Sequence, residues 1–80
     1  MTEVRIPKMG MSTVEVDIGE VLVSVGDVVH PDTTVVEVES EKVTFAIEAG
    51  VDGIVAEIFV APGDIRNVGD VIARITEGSG

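Results

Sequence analysis

Short apolar runs alternate with Gly, Asp and Pro at intervals of about 8 to 12 residues, the rhythm of strands joined by turns. The runs predict strands at Val4–Pro7, Val14–Ile18, Val21–Val25, Val28–Val29, Val35–Glu39, Val43–Glu48, Gly53–Ile58, Asp64–Ile65 and Val71–Ile75. Val21, Val23 and Val25 alternate as the core-facing side of a strand does, and so do Ile58 and Val60. One domain over residues 1–76 is expected, with 77–80 as a tail or the start of a flexible linker.

The chain also repeats itself. Glu15–Val28 aligns without a gap on Asp52–Ile65, an offset of 37 residues. Glu20 meets Glu57, Val23 meets Val60, Gly26 meets Gly63 and Asp27 meets Asp64; further on, Val35 meets Ile72 and Val38 meets Ile75. Gly-Asp after an apolar strand is a turn signal, because Gly supplies positive φ and Asp bonds nearby backbone. Neither half can bury its apolar face alone. Stacked, they imply an all-β flattened barrel or sandwich of two antiparallel four-stranded sheets related by a pseudo-two-fold axis.

Composition agrees with strands. The 80 residues include 17 Val, 8 Ile and 6 Thr but one Leu, and β-branched side chains suit a pleated surface better than a helix. Two Phe and no Trp or Tyr leave an aliphatic core and little with which to stack bases or sugars. A net charge of −10 argues against nucleic acid and anionic membrane surfaces and favours partners with basic grooves. Disulfides and thiolate metal sites are excluded without Cys, and the one His makes no zinc site by itself. No apolar run is long enough to span a membrane, and Met1-Thr2-Glu3-Val4-Arg5 lacks the regions of a signal peptide. A cytoplasmic protein is expected, or an excised domain, in which case the mitochondrial matrix is also open.

Candidate chemistry concentrates at one place. Two strand-like runs, Val35–Glu39 and Val43–Glu48, flank Ser40-Glu41-Lys42, so Lys42 falls in a tight hairpin turn. An exposed lysine is ordinary. This one shares the chain only with Lys8, sits between the two repeats, and has Glu39 and Glu41 beside it. No calcium-loop pattern or phosphate-cradling Gly-rich loop occurs, and His30 in Val29-His30-Pro31-Asp32 reads as a loop residue.

Val38-Glu39-Ser40-Glu41-Lys42-Val43 resembles the modification motif of lipoyl domains, in which an acidic residue precedes the lysine and a small apolar one follows. Nearly the whole chain shares the resemblance. Ile6-Pro7-Lys8-Met9-Gly10-Met11-Ser12 is similar to that family's first strand and loop; Val25-Gly26-Asp27-Val28-Val29, Asp52-Gly53-Ile54-Val55 and Gly63 through Ile72 are similar to later turns and strands. It is most like the N-terminal lipoyl domain of acyltransferase (E2) components of 2-oxo acid or acetoin dehydrogenase complexes. Three sites depart: Val16-Asp17 stands where Gly-Thr is usual, Asp32 where Gly is commoner, and Gly50 where Pro is usual.

The resemblance implies a barrel-sandwich hybrid fold and a carrier without an active site of its own, although a longer parent chain could be an acyltransferase. It implies lipoic acid joined as an amide to Lys42, flanked by Glu41 and Val43, with no catalytic residue and no metal. Its implied partners are a lipoate ligase, a thiamin-dependent decarboxylase (E1), the E2 acyltransferase core and dihydrolipoamide dehydrogenase (E3). The arm would take up an acyl group at E1, pass it to coenzyme A at E2 and be reoxidised at E3. Met9, Gly10 and Met11, with Glu39 and Glu41, are the implied recognition residues. The isolated domain is expected to be a monomer. Two alternatives remain: a biotin carboxyl carrier, whose lysine usually stands between two Met, and an unmodified structural or adaptor module.

Overall fold

The structure, a computed structural model, describes residues 1–7, 15–40 and 43–77. Its strands are β1 (Thr2–Arg5), β2 (Glu15–Val21), β3 (Val28–Val29), β4 (Thr34–Glu39), β5 (Thr44–Glu48), β6 (Gly53–Ile58), β7 (Ile65–Asn67) and β8 (Val71–Glu77). They form two antiparallel four-stranded sheets, ordered β1-β8-β6-β3 and β5-β4-β2-β7. No helix occurs among the described residues. Hereafter the first is sheet A and the second sheet B.

The repeat read from the sequence is the organising symmetry. Strands β2, β3 and β4 of the first half correspond to β6, β7 and β8 of the second, and β1 takes the edge position in sheet A that β5 takes in sheet B. Hydrogen bonds repeat at the same offset. Gly26 N donates to Val55 O at 2.8 Å and Gly63 N to Ile18 O at 2.8 Å; Leu22 N donates to Val35 O at 2.9 Å and Phe59 N to Ile72 O at 2.9 Å. The first pair crosses between halves, and each half also lends a short strand to the other's sheet, β3 to β6 and β7 to β2. Even the irregularities correspond: the ladder shifts between Ile18 and Glu20 and again between Val55 and Glu57.

Both halves turn by the same device. Asp27 Oδ2 accepts from Ser24 N at 2.8 Å, and Asp64 Oδ2 accepts from Ala61 N at 2.9 Å. The preceding Gly26 and Gly63 have φ of 97° and 93°, which a side chain would strain. Gly50, at φ 78°, donates its N–H to Pro31 O at 2.9 Å. The proline usual there in lipoyl domains has no N–H and a fixed negative φ, so this turn is closed differently.

The core lies between the sheets. Ile18, Val35, Val36, Val38 and Ile47 of sheet B face Val4, Val29, Val55, Ile72, Ala73 and Ile75 of sheet A, all buried. Burying each such Val or Ile contributes roughly 1.5–3 kcal/mol. No polar or charged residue is buried among the described residues.

Five strand expectations need correction. Val14–Ile18 and Val21–Val25 are not two strands: among the described residues, one strand runs Glu15–Val21 and the chain then turns. The Ser24 amide goes to the Asp27 carboxylate and the Ser24 carbonyl accepts from Asp27 N, so local turn chemistry overrides the Val alternation. Val25 is accordingly 62% exposed. The first strand is Thr2–Arg5, because pairing with β8 begins at Thr2↔Ile75 and slips after Val4. The strand expected at Asp64–Ile65 runs Ile65–Asn67, since the Asp64 side chain is spent on the turn. The last strand continues through Glu77, held by Gly53↔Glu77 pairing and a contact from the Thr2 hydroxyl to the Glu77 carboxylate.

Candidate functional site

Sheet B presents its end at the β4–β5 hairpin. The two strands pair from Thr34↔Glu48 to Glu39↔Thr44, so Ser40 and Val43 are the flanking residues of the connection. Ser40 N donates to Val43 O at 2.8 Å. The Ser40 hydroxyl donates to the same carbonyl at 3.1 Å and accepts from Val43 N at 3.4 Å. Only Glu41 and Lys42 stand between these residues.

Of the residues singled out in the sequence, Lys42, Glu41, Met9, Gly10 and Met11 lie outside the described residues. Glu39 ends β4, is exposed, and faces Asp17 of β2 on one side and Thr44 of β5 on the other. Val43 is 50% exposed and belongs to the turn rather than to β5, so Phe45 and Ile47 alone carry the inward side of that strand. Because Asp17 faces Glu39, β2 begins at the end of sheet B where the hairpin leaves it. Glu15, the first residue of β2, therefore lies at the same end of sheet B as Ser40 and Val43.

His30 lies in a loop, as read from the sequence. Its Nδ1 lies 2.8 Å from Asp52 Oδ1, linking the loop after β3 to the turn before β6. Ser40 was missed altogether. The available signal was a serine at the first position of a four-residue turn, where a short side chain bonds the backbone.

The electrostatics of the two sheets differ. On the outer side of sheet A, Arg74 reaches Glu57 at 2.7 Å and Glu3 at 3.7 Å, and Arg5 reaches Glu3 at 2.8 Å. The strands of sheet B carry Glu15, Asp17, Glu20, Glu37, Glu39 and Glu48 and one cation, Arg66, which pairs with Asp64 at 3.2 Å. The hairpin thus stands on an acidic sheet.

The hairpin end fits a group held by one covalent bond in open solvent. Of its flanks Val43 is exposed and Ser40 half-buried, and no buried side-chain N or O atom lacks a partner among the described residues. Among those residues no cluster of three or more His, Asp or Glu could hold a metal ion.

Two pseudo-symmetric sheets with an exposed, side-chain-closed hairpin define a small β carrier module. The chain belongs to the biotin/lipoyl family: its model, described as that of a biotin-requiring enzyme, matches residues 2–75. The chain is 38% identical over 80 residues to the dihydrolipoyllysine-residue succinyltransferase component of the 2-oxoglutarate dehydrogenase complex of Staphylococcus saprophyticus, covering 100% of this chain and 19% of that one. It is 40% identical over 74 residues to the dihydrolipoyllysine-residue acetyltransferase component of the pyruvate dehydrogenase complex of Corynebacterium glutamicum, covering 92% and 11%. The chain therefore spans a fifth or less of the length of these curated relatives. The solution structure of the lipoyl domain of the 2-oxoglutarate dehydrogenase complex from Azotobacter vinelandii superposes with a TM-score of 0.75 at 27% identity, covering 95% of this chain and 99% of that one. The fold is that of a lipoyl domain.

Proposed function

We propose that this domain carries lipoate as an amide on the ε-nitrogen of Lys42 and moves acyl groups and electrons between the enzymes of a 2-oxo acid or acetoin dehydrogenase complex. The observation that supports it most is the open hairpin, closed by Ser40 and Val43, whose two connecting residues are Glu41 and Lys42. Bound there, lipoate supplies a dithiolane that takes up and releases acyl groups and electrons.

The chain's own residues present that group. Paired strands β4 and β5 give the attachment point a rigid base. Amidation removes the lysine charge, leaving Glu39 and Glu41 as the acidic surroundings a basic enzyme surface would meet. Tethering makes each transfer intramolecular, at effective concentrations on the order of mM for a short flexible linker. The partners are a lipoate ligase, a thiamin-dependent decarboxylase, an acyltransferase core and dihydrolipoamide dehydrogenase. Met9, Gly10 and Met11 contribute recognition by the decarboxylase, as the resemblance to lipoyl domains implies. A cytoplasmic location is part of the same proposal.

Lipoate is favoured over biotin by Glu41 and Val43, which flank the lysine where biotin domains usually carry Met. Incubating the purified chain with lipoate, ATP and a lipoate ligase, and separately with biotin, ATP and a biotin ligase, decides between them. A lipoyl mass increment from the first mixture alone is expected. A biotinyl increment alone would reverse the assignment.

A further inference from the structure

We propose that Ser40 is a positioning residue for the modification of Lys42, an inference that rests on the lysine's role as attachment point. A two-residue hairpin connection is held by bonds between the residues on either side of it. Here one such bond is the backbone contact from Ser40 N to Val43 O at 2.8 Å. The others come from a side chain: the Ser40 hydroxyl donates to Val43 O at 3.1 Å and accepts from Val43 N at 3.4 Å. One hydroxyl thus ties both polar groups of Val43 back to Ser40.

Among the described residues, no further side-chain bond joins the flanks of this turn. Val43 and Thr44 are exposed, and Glu39 faces Asp17, a like charge that gives no cross-strand attraction. Among the described contacts across the turn, removing the hydroxyl would leave the single backbone bond from Ser40 N to Val43 O. The ends of β4 and β5 that lead to Lys42 would then be held less firmly against each other when a ligase engages the lysine.

In that reaction the neutral Lys42 amine forms a C–N bond to the carbonyl carbon of an acyl adenylate made from ATP and the lipoate. The bond from that carbon to the adenylate oxygen breaks, AMP leaves, and the amine's proton passes to a base of the ligase or to water. Nothing is oxidised or reduced. Such a displacement is sensitive to placement of the nucleophile on the scale of an ångström.

The test compares the unsubstituted 80-residue chain with Ser40→Val and Ser40→Thr. Both variants are β-branched and nearly isosteric; only Thr keeps the hydroxyl. Initial rates of modification by lipoate ligase with lipoate and ATP are read by intact mass, and folding is checked by urea unfolding. Ser40→Val is expected to lower the rate constant at limiting chain concentration about fivefold, the scale of one net hydrogen bond, with Ser40→Thr within about twofold of the parent. Amide exchange at Ser40 and Val43 should quicken in the Val variant and recover in the Thr variant. Equal rates for Val and Thr, in a parent that is modified, would overturn the role of Ser40 alone. A parent chain that gains no mass at all would overturn the attachment reading and this inference together.

Discussion

Arg74 donates from Nη1 to Glu57 Oε1 at 2.7 Å across the paired strands β8 and β6. The corresponding pair in sheet B is Glu37 and Glu20, in register across β4 and β2. The same lattice position therefore holds an ion pair in one sheet and two facing carboxylates in the other. Arg74 also stands 5.4 Å from the centroid of the Phe59 ring.

Replacing Glu37 with Arg should reproduce in sheet B what sheet A already has. Opposite charges across a strand pair contribute roughly 0.2–1 kcal/mol, and relief of repulsion adds to it. Thermal unfolding should show Glu37→Arg melting a few degrees higher, at about 4–8 °C per kcal/mol for a domain of this size. The gain should shrink in 1 M salt, where the Debye length is about 3 Å. Arg74→Glu should melt lower than the parent. A lower melting temperature for Glu37→Arg would contradict the pairing.

Asp27→Ala and Asp64→Ala each remove the acceptor that closes one turn. Each should lose about 1 kcal/mol in urea unfolding, the net scale of a hydrogen bond. The Asp64 variant should lose somewhat more, since that carboxylate also pairs with Arg66 at 3.2 Å. Silence at one site and a large loss at the other would mean that the repeat is geometric without being energetic.

Ile75 is fully buried and sits between Thr2 of β1 and Val55 of β6, whereas Val28 is 68% exposed at the sheet edge. Ile75→Ala should cost about 2–5 kcal/mol, and Val28→Ala no more than about 0.5 kcal/mol. Similar costs for the two would refute the packing described.

Ala at both Met9 and Met11 should slow reductive acylation by the cognate decarboxylase while leaving ligase-catalysed modification intact. Single-turnover acylation of the modified domain, followed by mass, measures this. Unchanged acylation would remove these residues from recognition.

Much of this architecture is legible in the residues themselves, and the exceptions have local causes. Gly26-Asp27 and Gly63-Asp64 announced the repeat because identical turns demand identical backbone chemistry. Val23 and Val25 misled, because β-branched alternation looks the same in a strand and in a turn whose amides are claimed by an aspartate. In the second half the expected strand ends at Ile58, as it does in the structure, and a proline, Pro62, stands at the counterpart of Val25. The hairpin was visible from its flanking runs. Its closure by the Ser40 hydroxyl was not, because a serine in a turn can bond backbone or water equally well. The charge difference between the sheets also needed the fold, since only strand order brings Glu20 opposite Glu37 and Arg74 opposite Glu57.

The central claim, that Lys42 carries the lipoyl group, is tested most directly by intact mass after incubation with lipoate, ATP and lipoate ligase. The parent chain and Lys8→Arg should each gain one lipoyl increment, and Lys42→Arg should gain none. An increment that survives Lys42→Arg and vanishes in Lys8→Arg would contradict the account.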